Sequence, residues 1–254
     1  MSAAVAPSPL ALGTVKLGRT RGLKYPRAFE LPSDAEVEAL LEAALDLGVT
    51  VFDTAPAYGT SEERLRPFLR AHRDELLICT KAGEQFGDDG SVYDFRPQAI
   101  RRSCEQSLRR LGCDKIDFLL LHSDGKDAAI LDHGGAVDAL LELRQEGKVE
   151  RVGISAKTEY GVRRGAELLD LVMAPLSSAA PELEDAMRAA HEAGAVCLAI
   201  KSLASGHLTA FAEQSLEYVF ERKFVDIVVV GTTSREHLAD AMRVARRVRG
   251  GSNS

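Results

Sequence analysis

The sequence predicts a closed eight-stranded α/β barrel, and three observations carry that prediction. Short apolar runs alternate with amphipathic helical stretches along the whole chain, those runs number eight, and 254 residues match the roughly 250 typical of one such barrel. Alternating strands and helices imply parallel pairing through right-handed crossovers, and eight such units favour closure over an open doubly wound sheet. A single domain is expected over residues 1–254, a (β/α)8 TIM barrel, with residues 1 to about 9 and 250–254 as loose ends.

In chain order the strands are expected at residues 10–14, 49–53, 76–81, 116–122, 152–155, 169–174, 196–200 and 227–230, each an apolar run of strand length. The first long helix opens with a capping box, Ser33 with Glu36, and carries Val37, Leu40, Leu41, Ala44 and Leu45 on one face before Gly48. Thr60 with Glu63 and Thr233 with Glu236 repeat that signal ahead of the second and eighth helices. Three loops after strands are long, residues 16–32, 82–95 and 123–135, and in a barrel such loops wall the catalytic face. Lys24, Tyr25, Phe29, Phe86 and Tyr93 on them are candidate pocket residues. The chain stops soon after its last helix, which predicts an open pocket. The stretch from Gly13 to Thr20 nearly spells a phosphate-binding loop, but Arg19 stands where the lysine belongs. Helical periodicity begins only after Ser33, and no G-x-G-x-x-G run marks a Rossmann dinucleotide fold.

The composition narrows the function further. A formal charge of -6, with basic residues interleaved among acidic ones, argues against a nucleic-acid partner. Cys79, Cys104, Cys113 and Cys197 form no C-x-x-C pair, so neither a metal site nor a disulfide framework is expected. The first residues lack the basic start and apolar run of a signal peptide, and no stretch reaches about 18 apolar residues. A soluble, cytoplasmic protein that binds no membrane is therefore expected. Its oligomeric state is left open.

Three consecutive strands end in different ionisable residues: Asp53, Lys81 and His122, with Tyr58 just beyond the first. Parallel neighbours bring their carboxyl ends to one spot, so a carboxylate, an ammonium, an imidazole and a phenol converge on a single bound molecule. A tyrosine alone, with a pKa of about 10, is a poor proton donor near neutrality. Lys81 beside Tyr58 is expected to lower that pKa, Asp53 to hold the lysine charged, and His122 to donate a hydrogen bond to a substrate oxygen. None of these side chains carries electrons, so a redox reaction needs a cofactor.

Asp53-Thr54-Ala55-Pro56-Ala57-Tyr58-Gly59, Thr80-Lys81 and Leu120-Leu121-His122-Ser123 resemble the tetrad of the aldo-keto reductases, (β/α)8 enzymes that use NADPH or NADH. The similarity extends to Leu12-Gly13-Thr14, to residues 148–155, to Leu203-Ala204-Ser205-Gly206 and to Val230-Gly231-Thr232. The resemblance implies hydride transfer to the carbonyl of an aldehyde or ketone, with Tyr58 as general acid, Lys81 and Asp53 tuning it, and His122 orienting the carbonyl. It implies a cofactor site at Gly13, Thr14, Ser155, Ser202, Leu203, Gly231, Thr232, Thr233, Ser234, Arg235 and His237, with NADP(H) ahead of NAD(H). The family commonly holds the carboxamide with Ser-Asn and Gln and stacks an aromatic residue on the nicotinamide. Here Ser155 is kept, but Ala156, Met173 and Ile200 or Lys201 stand at the other places, and Ala241 replaces a further Asn near the adenosine end. Lys201 is expected to act as a cation near the diphosphate, and Arg235 or His237 to meet a 2′-phosphate. Two other readings stay open: a non-catalytic binder of nucleotide or partner on the same fold, and an aldolase using Lys81 or Lys201 as a Schiff-base lysine.

Overall fold

The computed structural model describes residues 5–26 and 28–250. A closed parallel barrel of eight strands runs in the order β1 (Leu10–Gly13), β10 (Ile227–Gly231), β9 (Val196–Ile200), β8 (Leu171–Pro175), β7 (Val149–Ser155), β6 (Ile116–His122), β3 (Leu77–Ala82) and β2 (Val51–Asp53). All eight expected strands are present, two with the expected bounds and the others with ends moved by at most three residues. The principal helices around them are α2 (Asp34–Asp46), α3 (Ser61–His72), α4 (Pro97–Leu111), α6 (Ala136–Gln145), α7 (Glu159–Leu168), α8 (Glu184–Glu192), α9 (Ala212–Phe220) and α10 (Arg235–Gly250). Two shorter ones, α1 (Val15–Gly18) and α5 (Asp127–Asp132), lie in loops. The first shows that helix does begin before Ser33.

The pleat divides the apolar residues into two cores. Leu10, Leu12, Phe52, Ile78, Leu119 and Leu121 point outward against the helices. Ala11, Val51, Cys79, Leu120, Met173, Leu198 and Val229 point inward and fill the barrel. Side chains alternate with a period of two along a strand. The inward layer above this core, toward the carboxyl ends, is therefore Gly13, Asp53, Lys81, His122 and Gly231, each two residues beyond an inward apolar one. Register pairs Gly13 with both Asp53 and Gly231, and His122 with Ser155, and steps by two residues from Asp53 to Lys81 and again from Lys81 to His122.

The expected capping box at α2 is formed, with the Ser33 N–H donating to Glu36 Oε2 at 2.7 Å and the Glu36 N–H to Ser33 Oγ at 3.3 Å. The second is not. Thr60 has φ −87°, ψ 10° and makes no side-chain cap, because that backbone is not the extended one that aims an N-cap oxygen at the helix. At α10 the cap shifts by one residue: His237 N–H donates to Ser234 Oγ at 3.2 Å, so Ser234 and not Thr233 closes the helix start.

The long loop over residues 82–95 is not irregular. It folds as an antiparallel hairpin, β4 (Glu84–Gly87) and β5 (Gly90–Tyr93), with Gly87 opposite Gly90 and Asp88-Asp89 in the turn. Of the ends expected to be loose, residues 1–4 and 251–254 lie outside the described residues. Ser8, by contrast, is buried and its N–H donates to Thr50 Oγ1 at 2.8 Å. Among the described residues no helix is long and apolar enough to cross a membrane.

Candidate active site

Asp53, Lys81 and His122 sit at the carboxyl ends of β2, β3 and β6, as their strand positions require. Lys81 Nζ lies 2.6 Å from Asp53 Oδ1 and donates to the Thr54 carbonyl at 2.8 Å. Both side chains are almost wholly buried, 1% and 4% exposed, so this is an interior ion pair. Burial alone would lower the Lys81 pKa. The charges of Asp53 and Tyr58 outweigh it, and the ammonium is held above its ordinary range.

Tyr58 closes a 3₁₀ turn, Pro56–Tyr58, that follows β2 and is tied by its N–H to the Ala55 carbonyl at 2.9 Å. Lys81 Nζ stands 4.7 Å from the centre of its ring, and the His122 ring meets it edge-on at 6.1 Å. The expected lowering of the phenol pKa is not the net result. Burial pushes it up to about 12, and the Lys81 charge offsets only part of that rise while Asp53 adds to it. The phenol therefore stays protonated at neutral pH.

The turn is seated by two glycines in close backbone contact. Gly59 has φ +64°, and the Thr60 N–H reaches the Gly18 carbonyl at 3.3 Å. A Cβ on Gly18 would overlap the Tyr58 carbonyl and the Ser61 nitrogen. Gly18→Ala is accordingly expected to destabilise by about 1–3 kcal/mol, the usual effect of overpacking, and to displace Tyr58. Urea denaturation together with turnover checks this, and a variant with parental values in both would show that the turn yields freely.

The His122 side chain is 16% exposed, and its Nδ1 lies 2.8 Å from Glu84 Oε2. Burial lowers the His122 pKa, with Glu84 opposing and Lys81 reinforcing the shift. Burial also acts to raise the Glu84 pKa, but contacts with His122, Ser91 and Tyr93 prevail and hold the carboxyl down at about 2. Glu84 was not visible from sequence, because it belongs to the unexpected hairpin.

These groups open on a cavity of ≈ 360 Å³. Asp53, Tyr58 and His122 line it, with Lys81 beneath. The loops over residues 16–32 and 82–95 form its walls through Lys24, Tyr25, Glu84 and Tyr93, whereas no residue of 123–135 lines it. Asp127 in that last loop instead accepts from the Lys157 and Thr158 N–H groups at 2.9 and 2.8 Å, a structural tie. Phe29 and Phe86 also stand back: the first packs on Tyr25, and the second lies under the Arg19 guanidinium at 3.3 Å.

The residues matched to a cofactor site divide. Gly13, Ser202, Leu203 and Gly231 line the cavity. Thr14 does not; it is fully buried and its hydroxyl donates to the Asp53 carbonyl at 2.9 Å. Ser155 is likewise buried and stands outside the lining, and residues 232–237 lie beyond it at the start of α10. Two features fit an anionic dinucleotide. The Ser202 hydroxyl is buried without a partner, which in a native site calls for a ligand or water. Lys201, Ala204 and Ser205 beside it hold positive φ angles of 59°, 46° and 57°, strain of the kind kept at ligand-binding loops. Partial burial and the neighbouring charges of Lys24 and Lys157 lower the Lys201 pKa. Among the described residues none of these three ammoniums is paired with a carboxylate.

All four cysteines are free. Although no ligand spacing in the sequence marks them, His191, Cys197 and Asp226 bring their ligand atoms within 4.8 Å of one another. They lie at the opposite end of the barrel, where Asp226 Oδ2 already accepts the Cys197 N–H at 2.7 Å.

Asp53, Tyr58, Lys81 and His122 thus meet at the carboxyl end of a closed (β/α)8 barrel. The chain belongs to the aldo/keto reductase family, whose model matches residues 9–172. It is similar to D-threo-aldose 1-dehydrogenase of Pseudomonas sp, 36% identical over 166 residues, which covers 56% of this chain and 50% of that protein. L-glyceraldehyde 3-phosphate reductase of Escherichia coli (strain K12) is 30% identical over 224 residues, 80% of this chain and 61% of that protein. The chain spans between about half and three fifths of the length of the curated relatives it matches. A solved Pseudomonas aeruginosa chain described as an aldo-keto reductase superposes with a TM-score of 0.88 at 39% identity, covering 96% of this chain and 92% of that one. The holo form of an aldo-keto reductase from Bacillus halodurans gives a TM-score of 0.80 at 22% identity, covering 94% and 86%, a likeness of fold.

Proposed function

We propose that the protein reduces the carbonyl of a small aldehyde or ketone to an alcohol at the expense of NADPH or NADH. The observation that carries this reading is the buried Asp53–Lys81 pair under Tyr58, with His122 beside it, at one cavity. Bound nicotinamide supplies the hydride to the carbonyl carbon. Tyr58 gives its hydroxyl proton to the carbonyl oxygen as negative charge develops there. Lys81 stabilises the phenolate left behind, Asp53 keeps Lys81 charged, and His122 orients the oxygen. The similarity to an aldose dehydrogenase and a glyceraldehyde phosphate reductase favours a small hydroxylated aldehyde as substrate.

The cofactor would lie across Gly13, Ser202, Leu203 and Gly231, with its phosphates toward Lys24 and Lys201. The departures at Ala156, Met173 and Ala241 remove polar groups common in the family, so affinity rests on the loop after β9 and the start of α10. Titration of the protein with each nucleotide, followed by a turnover screen of aldehydes, tests the reading. Absence of saturable binding up to millimolar nucleotide would sink it, and binding without turnover would move the assignment to a non-catalytic binder.

NADPH is favoured over NADH because Arg235 is exposed at the start of α10 and engages no other described residue. If it meets the 2′-phosphate, Arg235→Ala weakens NADPH by about 1.5–3 kcal/mol, the range for a charged hydrogen bond, and leaves NADH unchanged. Equal losses in the two dissociation constants would remove that role from Arg235. An aldolase reading does not suit Lys81, since an amine held charged by Asp53 is no nucleophile. Borohydride trapping with a carbonyl compound checks Lys201 for the same chemistry.

A further inference from the structure

The contact between Glu84 and His122 has a consequence for where protons sit. Glu84 Oε2 is 2.8 Å from His122 Nδ1, and an ionised carboxylate can only accept. A nitrogen that close to it carries the proton. The angle falls short of a hydrogen bond, so Nδ1 stands buried beside the carboxylate with no completed bond, a geometry that in ligand-free sites tightens on binding. Glu84 cannot swing away to serve another group. It is 7% exposed, Ser91 Oγ donates to its Oε1 at 2.5 Å, and Tyr93 sits opposite it in the hairpin register. The hairpin is thus a rigid mount for one carboxylate.

We propose that Glu84 is a positioning residue that pins the proton of His122 on Nδ1, so that Nε2 meets the reacting oxygen as an acceptor in the neutral ring and as a donor only in the imidazolium. This rests on the carbonyl-reductase reading for the identity of that oxygen. A neutral ring pinned in this way offers a lone pair, which suits the hydroxyl of an alcohol; a carbonyl oxygen needs the protonated ring. The two directions of the reaction therefore use different charge states of His122. Carbonyl reduction falls, and alcohol oxidation rises, as pH increases through the His122 pKa.

The charged and titratable groups around His122 set where that change occurs. Glu84 on β4 favours the imidazolium, as does Asp53 on β2; Lys81 on β3 disfavours it, and burial acts in the same sense as Lys81. Tyr58 meets the ring edge-on, and Arg19 acts electrostatically on Glu84. Among the described residues Glu84 is the one anion in direct contact.

The test combines ring-nitrogen NMR with pH profiles. In protein labelled with ¹⁵N-histidine, His122 is assigned among the six histidines by its loss in a His122→Gln variant. The expected result is a proton on Nδ1 with Nε2 bare at neutral pH. In Glu84→Gln the reduction and oxidation limbs both move to lower pH by about one unit or more, the change expected when a charge-assisted contact is lost. Reduction at neutral pH falls about tenfold or more while the nucleotide dissociation constant is unchanged. A resonance from Nε2–H in the neutral parent ring overturns the proposal whatever the turnover. Unmoved limbs in a folded Glu84→Gln variant overturn it as well. Should the parent bind nucleotide but reduce no carbonyl, the functional reading fails, and the NMR measurement still decides the pinning.

Discussion

Tyr58→Phe should lower carbonyl reduction by about 10²- to 10⁴-fold, the range that positioned proton donors supply, and leave nucleotide binding as it was. The phenol reaches the cavity at the end of its 3₁₀ turn, while the loop after β9 that would take the nucleotide is built from other strand ends. The ring stays in the variant, so its edge-on contact with His122 and the seat made by Gly18 and Gly59 are retained. What disappears is a hydroxyl proton that burial keeps in place, with a pKa of about 12, until an alkoxide more basic than the phenolate forms beside it. The measurement is a single-turnover rate beside a nucleotide dissociation constant. An unchanged constant with a collapsed rate assigns the proton to Tyr58. Reduction of an aldehyde at the parental rate would make the strand-end cluster structural.

The barrel and the tetrad were legible for one physical reason. An inward apolar residue followed two positions later by an ionisable one, as in Val51 and Asp53, Cys79 and Lys81, or Leu120 and His122, encodes both the pleat and the site in a single pattern. The hairpin carries no such code. Its strands have four residues each, Gln85, Ser91 and Val92 are exposed, and no buried face imposes alternation. The turn signal Asp89-Gly90 was present without flanking apolar runs, so Glu84 read as a loop residue. The phenol pKa was misjudged for a related cause: Lys81 can be seen in a sequence, and the depth of burial around Tyr58 cannot. Thr14 was matched to the cofactor by motif, yet its hydroxyl is used in the contact between β1 and β2.

Lys81→Met should damage the protein twice, and the two effects can be separated. Lys81 is 1% exposed and Asp53 4%, so the substitution strands a buried carboxylate and leaves the Thr54 carbonyl without its donor. Breaking a buried pair in this way costs about 3–5 kcal/mol. Cys79 cannot replace the lysine's charge, since a thiol is neutral or anionic and burial keeps this one protonated. The second effect is on rate. Lys81 carries the charge that pulls the Tyr58 pKa down, and without it the phenolate formed on proton transfer is unsupported. The pair Asp53→Asn, Lys81→Met removes both charges and should recover much of the lost stability, because a neutral replacement of a buried ion pair is often nearly neutral in free energy. It should recover none of the rate. Urea denaturation midpoints for the single and double variants, set against turnover at several pH values, read the two effects independently. If the double variant regains stability and activity together, Lys81 acts only as a strut for Asp53, and the tuning of Tyr58 must be sought elsewhere in the site.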